Sequence, residues 1–277
     1  MAIPGKLSLV LPAHDEVLNL EAVVRRALGV LPELTEDFEV IVVDDGSRDG
    51  TAELADRLAA ESPKVRVVHH PINRGYGAAL TSGFQAATGD YIMFMDADQQ
   101  FDPADLAHLA PFVPQTDIVA GYRIKRRDPW IRLLYARIFN LCMRLLFGLN
   151  VRDIDCAFKV YRADLLKSIE ITAAGALINT ELLVKARRAG ATIVEVGVRH
   201  FPRPTGESSG GSPRVILRAM RETIWLWWHM LGYRPPAVPT RGRPTPASLF
   251  LVRAIALATI GIGALAAASA WLLRRRG

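Results

Sequence analysis

Over its first 125 residues the chain alternates short β-branched or aromatic runs with helix-like stretches, and this alternation constrains its fold more than any other feature. The runs "LSLVLPA" (7–13), "FEVIVVDD" (38–45), "VRVVHH" (65–70), "YIMFMDAD" (91–98) and "DIVAGY" (117–122) are bounded by turn residues and read as strands. Between them, "LNLEAVVRRALGVL" and "TAELADRLAAE" read as helices. Such alternation predicts an α/β fold with a mostly parallel sheet and helices on both faces. Sheets of this kind bind ligands at the carboxyl ends of their strands. Three of the strands end in polar clusters, "PAHDE" (12–16), "DDGSRDGT" (44–51) and "DADQQ" (96–100), so the polar residues are expected to converge on one rim.

The last cluster asks for a chemical reason. Asp102 before Pro103 reads as a helix cap, which leaves Asp96 and Asp98 unexplained. Alternating strand geometry sends both carboxylates to the same side, where they repel unless a cation joins them. Hard oxygen ligands suit Mg²⁺ or Mn²⁺, ions that commonly bridge to substrate phosphates. "VDDGSRDGT" imitates the start of a calcium loop, but a strand precedes it and Asp56 stands where a bidentate Glu belongs. A strand-to-helix turn, with Thr51 near the helix start, Asp45 aimed at a ligand and Asp44 structural, is more economical. "NRGYGAALTSGF" (73–84) joins glycines to a helix start, which fits either phosphate binding by backbone N–H groups or tight helix packing. No G-x-x-x-x-G-K-[ST] or G-x-G-x-x-G occurs, which counts against nucleoside triphosphatases and dinucleotide oxidoreductases.

The remainder has a different character. Residues 129–148 form a strongly apolar helix carrying Arg132, Arg137 and Arg144. "CAFKVYR" (156–162) reads as a strand, 179–190 as a helix, 191–198 as a strand, and "RHFPRPTGESSGGSP" (199–213) as a loop. In residues 214–234, Arg214, Arg218 and Arg221 share a helical stripe followed by Trp225, Trp227 and Trp228, a pattern suited to a lipid–water interface. Residues 235–248 read as a Pro-rich linker and 249–273 as a transmembrane segment, with 20 uncharged residues at 254–273. A buried helix in a homo-oligomer is the alternative for that segment, and arginines on both sides leave its direction open. The net charge of +6 calls for an anionic partner. Because the arginines are interleaved with lipid-seeking side chains, a membrane explains that charge better than nucleic acid does. Cys142 and Cys156 lack metal-type spacing, and the N-terminus does not read as a signal peptide.

"PAHDE", "VVDDGSRDGT", "NRGYGAAL", "MDADQQ" and "PRPTGESS", in this order, resemble the family 2 glycosyltransferases over residues 6–210. The likeness is greatest to the branch that includes dolichyl-phosphate mannose synthase and bacterial polyprenyl-phosphate glycosyltransferases. The resemblance implies a GT-A, Rossmann-like catalytic domain over 1–213, with the amphipathic helix 129–148 inserted in it. It implies a UDP- or GDP-sugar donor, with Pro12, His14, Glu16 and Asp45 against the base and ribose. Asp96, Ala97 and Asp98 would lie against the diphosphate, with Asp96, Asp98 and Gln100 around the metal. Arg123 and Arg137 would grip the acceptor phosphate, and Arg203 would bring the closing loop to the diphosphate. His14-Asp15 replaces the usual Tyr-Asn, and Ser209 stands where close relatives often carry Lys. The Q-x-x-R-W element of processive synthases is absent, which implies a single transfer.

The expected reaction is therefore inverting, metal-dependent transfer of one hexose to a polyprenyl phosphate, with the catalytic domain on the cytoplasmic face of a membrane. Transfer to a hydroxyl acceptor is the first rival. It would need a base, for which Asp155 is the leading candidate beside Asp153 and Glu181, although Glu181 reads first as a residue of a first helical turn. The second rival is a membrane-anchored protein that binds the nucleotide sugar without turning it over. Of the histidines, His200 leads into the Pro-Arg loop as a functional candidate, whereas His69, His70, His108 and His229 read as structural.

Overall fold

The computed structural model describes residues 2–124, 130–175, 177–204 and 213–242, and the side chains of these except 130–136 and 213–220. In chain order the elements are β1 (Ile3–Ala13), α1 (Leu20–Leu34), β2 (Thr35–Asp44), α2 (Thr51–Glu61), β3 (Val65–His69), α3 (Tyr76–Ala86) and β4 (Tyr91–Met95). Then follow α4 (Leu106–Leu109), β5 (Ile118–Ile124), α5 (Trp130–Phe147), β6 (Phe158–Arg162), α6 (Ala163–Ser168), α7 (Ile178–Ala189), β7 (Ile193–Arg199) and α8 (Pro213–Gly232). The strands form one seven-stranded sheet in the order β3-β2-β1-β4-β6-β5-β7.

β1 pairs in parallel with β2 and β4, β2 with β3, and β5 with β7. β6 runs antiparallel to both neighbours and separates β4 from β5. The central strands are apolar on both faces: Leu9, Val10 and Leu11 of β1, Val40 to Val43 of β2 and Ile92 to Met95 of β4 are buried. That is what a parallel sheet covered on two sides requires. The chain winds outward from β1 through β2 to β3, then returns through α3 to the other side of β1. The order thus reverses between β1 and β4, and a crevice opens there at the carboxyl ends of the strands.

Two expectations are adjusted. The strand expected to run through Asp98 ends at Met95, so Asp96 and Asp98 lie on the loop beyond it, where Gln99 adopts a positive φ of 62°. The expected linker is docked over its described part. The Arg241 N–H donates to the buried Asp117 Oδ2 at 3.0 Å, the Thr240 hydroxyl donates to the Ala189 carbonyl at 2.8 Å, and Arg162 donates to the Pro239 carbonyl. Backbone that cannot join the sheet finds its partners on the sheet's amino-terminal edge. Among the described residues no helix is long and apolar enough to cross a membrane. The expected span at 249–273 lies outside the described residues, as do Ser208 and Ser209 of the loop after β7.

Candidate active site

The three polar strand ends meet through side chain–backbone hydrogen bonds. After β1, Asp15 accepts the Arg48 N–H at 2.8 Å while its own N–H donates to Ser47 Oγ at 3.0 Å. The Glu16 N–H donates to Thr51 Oγ1, and Asp49 accepts the Val17 N–H as well as the N–H and hydroxyl of Thr51. Asp49 thus opens α2 and ties it to the β1 loop. Asp44 is structural, accepting the Ser47 N–H and facing His69 Nδ1. Pro12 is buried within β1 opposite Val43, and His14 stands exposed at the mouth, 3.6 Å from Asp15.

Glu16 connects this loop to the acidic one. Its Oε2 accepts from Asn19 Nδ2 at 2.7 Å, and Asn19 Oδ1 accepts from Gln99 at 3.0 Å. Its Oε1 accepts from the Arg203 guanidinium, which also lies 3.8 Å from Asp98 Oδ2. Arg203 thus draws the loop after β7 across the crevice between β1 and β4. A second clasp holds the same loop, where the Phe201 N–H donates to the Gln100 carbonyl at 2.9 Å and Gln100 Nε2 to the Phe201 carbonyl at 3.3 Å. His200 sets its ring edge-on to Phe101, 5.3 Å between centroids. Of the sequence-expected residues, Glu16, Asp96, Ala97, Asp98, Gln100 and Arg203 are therefore assembled at one place.

The electrostatics of that place are set by burial. Asp96 is pushed up to about 7 by desolvation and by the neighbouring Asp98, against hydrogen bonding from Tyr76. Asp98 is also raised by burial, opposed by the Gln100 N–H and Arg203. Two adjacent carboxylates whose charges resist ionisation suit a hard divalent cation, which would remove both penalties. Among the described residues no three His, Cys, Asp or Glu side chains cluster as a metal site, so phosphate oxygens and water would have to complete the coordination. Gln100 reaches Asp98 through its backbone N–H at 3.0 Å, with its side-chain amide turned to Phe201.

Asp45 is held in a buried network. Its Oδ1 accepts the Arg74 N–H and faces His70 Nδ1 at 2.6 Å, its Oδ2 accepts the Gly75 N–H, and His70 Nε2 faces Ser82 Oγ at 2.9 Å. The order of groups matches a hydrolytic triad, but here the carboxylate pins a loop. The Gly77 N–H donates to the Ala174 carbonyl at 2.9 Å. The N–H groups of residues 74, 75 and 77 are thus taken up within the protein, which favours the tight-packing reading of "NRGYGAAL".

Glu181 lies in the first turn of α7, as its leading reading had it, and is a structural residue, not a base. It is fully buried, accepts from the Thr172 N–H and hydroxyl and the Ala173 N–H, and pairs with Lys185 at 2.6 Å. Asp153 likewise forms a two-pronged pair with Arg123, both contacts at 2.7 Å. The Arg123 fork is therefore directed at a carboxylate of its own chain, not toward open space. Arg137 lies exposed on α5, and Asp155 is exposed near enough to raise the Tyr76 phenol together with Asp96 and Asp98.

Two neighbours of the acidic loop escaped the sequence reading. Tyr76 donates its hydroxyl to Asp96 Oδ1 at 2.9 Å. Lys159, fully buried in β6 opposite Phe94, donates to the Ile154 carbonyl at 2.9 Å and to the Cys156 carbonyl. Burial lowers its pKa, and its charge helps ionise Asp96. A lysine inside the apolar run "AFKVY" was the available signal for the second. None marked the first. The Cys156 thiol, pushed up to about 12 by burial, is an inert core group.

The model of the family described as Glycosyl transferase family 2 matches residues 8–170. The undecaprenyl-phosphate mannosyltransferase of Micrococcus luteus is 34% identical over 215 residues, covering 73% of this chain and 87% of that protein. Glycosyltransferase AglD of Haloferax volcanii is 32% identical over 268 residues, or 93% of this chain, which spans only 42% of that relative's length. Glucosyl-3-phosphoglycerate synthase of Mycobacterium tuberculosis, solved with Mn²⁺, UDP and phosphoglyceric acid, superposes with a TM-score of 0.66. It is 20% identical, the match covers 86% of this chain and 80% of that one, and the likeness establishes the GT-A-like fold.

Proposed function

The chain belongs to glycosyltransferase family 2, and on that premise we propose that it transfers one hexose from a UDP- or GDP-sugar to a polyprenyl phosphate at a membrane surface, with inversion at the anomeric carbon. The observation that carries the proposal is the meeting of Asp96 and Asp98 with Glu16 and Arg203 at the point where the strand order reverses. A relative 34% identical bears the name undecaprenyl-phosphate mannosyltransferase, which supports the lipid-phosphate acceptor.

In this reading Asp96 and Asp98 hold Mg²⁺ or Mn²⁺, with Gln100 beside them. Held there, such an ion would supply the positive charge that a diphosphate leaving group needs as its own charge grows. Glu16, with Pro12 and His14, would line the donor's nucleoside end, and Asp45 would act there through the loop it pins. Arg203 exchanges its Glu16 contact for the diphosphate and closes the loop after β7 over the donor. A phosphate monoester is largely ionised near neutral pH, so a lipid phosphate needs no strong base, only cations that orient it. Arg137 is placed for this on α5, and Arg123 would have to loosen its pair with Asp153 to join it.

The membrane side is supported by large apolar side chains left in the open: Ile138, Leu141 and Leu145 on α5, and Ile224, Trp225 and Trp228 on α8. Arginine-bearing helices with such faces lie at lipid interfaces. The segment 249–273 would anchor the protein, with the catalytic domain on the cytoplasmic side where nucleotide sugars occur.

A second reading has its own observation: Asp155 is exposed beside the acidic loop, where a base for a hydroxyl acceptor would stand. One experiment separates the two. Purified protein in detergent is given each common UDP- and GDP-sugar, radiolabelled, with Mg²⁺ or Mn²⁺ and undecaprenyl phosphate. Metal-dependent transfer of label to the organic phase is the expected result. Donor binding without transfer from any sugar would overturn the lipid-phosphate acceptor and make Asp155→Asn, assayed on hydroxyl-bearing acceptors, the next variant.

A further inference from the structure

We propose that Tyr76 is the residue that presents Asp96 to the divalent cation, a positioning role that rests on the metal-dependent reading above. The role follows from the way the start of α3 is built. Tyr76 is its first residue and lies between two glycines that admit no side chain. A Cβ on Gly75, whose φ is 97°, would sit 2.7 Å from the Ala174 carbonyl oxygen. One on Gly77 would lie 2.2 Å from the Ala173 carbonyl oxygen and 2.8 Å from the Ala174 carbonyl carbon. These neighbours are backbone and cannot swing aside, so the two glycines let the helix start press against residues 173–174.

Both sides of that contact are held by buried carboxylates. Asp45, braced by His70, accepts the N–H groups of Arg74 and Gly75 and fixes the approach to the helix. Glu181, braced by Lys185, accepts from Thr172 and Ala173 and fixes the segment opposite. From this platform the Tyr76 hydroxyl reaches Asp96 Oδ1 at 2.9 Å. Asp96 itself lies past the end of β4, where the Tyr76 hydroxyl is the hydrogen-bond donor that meets its carboxylate. A hydrogen bond to one oxygen sets the carboxylate plane and leaves Oδ2 for a cation. Groups that orient metal ligands from outside the coordination sphere are typically worth on the order of 10–100-fold in metal affinity.

The bland alternative is that the ring only fills space against the core, as its partly buried packing allows. Tyr76→Phe separates the two, since it deletes one oxygen and keeps the ring. The test is titration of the full chain in detergent with Mn²⁺ in the presence of UDP, followed by electron paramagnetic resonance of the free ion. Asp96→Asn serves as control, and thermal unfolding and UDP binding in chelator confirm an intact fold. Tyr76→Phe is expected to weaken Mn²⁺ binding by on the order of 10–100-fold while both chelator measurements stay at wild-type values. Mn²⁺ binding equal to wild type would overturn the positioning role. A wild type that takes up no Mn²⁺ with UDP, or an Asp96→Asn variant that binds as wild type does, would overturn the metal reading itself, and the role of Tyr76 with it.

Discussion

The polar rim at the carboxyl ends of the strands and the flank formed by α5 and α8 are built on opposite principles. At the rim nearly every polar group named above is matched inside the protein: Asp15 with Ser47 and Arg48, Asp49 with Val17 and Thr51, Glu16 with Asn19 and Arg203. On the flank, Ile138, Leu141 and Trp228 expose half or more of their surface, while Thr223, Leu226 and Met230 turn inward from α8. A rim satisfied from within is pre-organised for a defined polar ligand. A flank that leaves large apolar side chains open is satisfied only from outside, by an apolar surface. One molecule thus carries a polar rim completed from within and an apolar face left open to its surroundings.

The comparison can be broken first at the rim. Asp98→Ala removes a carboxylate proposed to hold the cation against the diphosphate, and transfer should fall by about 10²–10³-fold, the scale of losing one electrostatic contact made in the transition state. The fold should survive, because the substitution also removes a carboxylate raised by burial. Label transfer and thermal unfolding measured on the same preparation check both halves of that statement. Glu181→Ala should do the reverse and damage the fold. It leaves Lys185 buried without its partner and frees residues 172–173, a loss of about 3 kcal/mol or more in chemical denaturation.

The flank predicts a change confined to lipid. Replacing Trp225 and Trp228 together by alanine should weaken partitioning onto anionic vesicles by about tenfold or more, from the apolar area withdrawn. Donor binding in detergent should be unchanged, and a loss of donor binding would show that the two regions are not separate. The smallest effect is at the far end of the sheet. Glu39 accepts from Ser8, Thr88 and Arg66, and these contacts outweigh its burial and hold it down at about 2 against an ordinary 4.5. Its stabilising contribution is fully present above pH 4.5 and is lost as the pH falls through 4.5 toward 2. Acid unfolding of Glu39→Gln should accordingly be shallower in that window than that of the wild type.

The rim was more legible in the sequence than the groups that support it. "PAHDE", "DDGSRDGT" and "DADQQ" could be placed together because parallel strands put their carboxyl ends on one edge, and strands announce themselves locally. The order β4-β6-β5 could not be read, since "CAFKVYR" looks the same in either direction of pairing. Arg123 read as a free cation because the resemblance gives it a role, while its partner Asp153 is 30 residues away in the chain. Glu181 could be placed in a first helical turn, but that it is among the most buried residues of the protein could not be read from its neighbours in the chain.

By itself, then, the sequence determined the alternating sheet, the acidic strand ends, the arginine-bearing helices and the family resemblance, all of which follow from runs of neighbouring residues. Only the tertiary structure decided which acids are tied down and which face the crevice. It turned Asp45 and Glu181 into braces, tied the Gly75 and Gly77 N–H groups within the protein, docked residues 239–241 at the sheet's amino-terminal edge and set the Tyr76 hydroxyl on Asp96. The physical reason is that a carboxylate's role depends on the donors and the dielectric around it, and these come from residues distant in the chain.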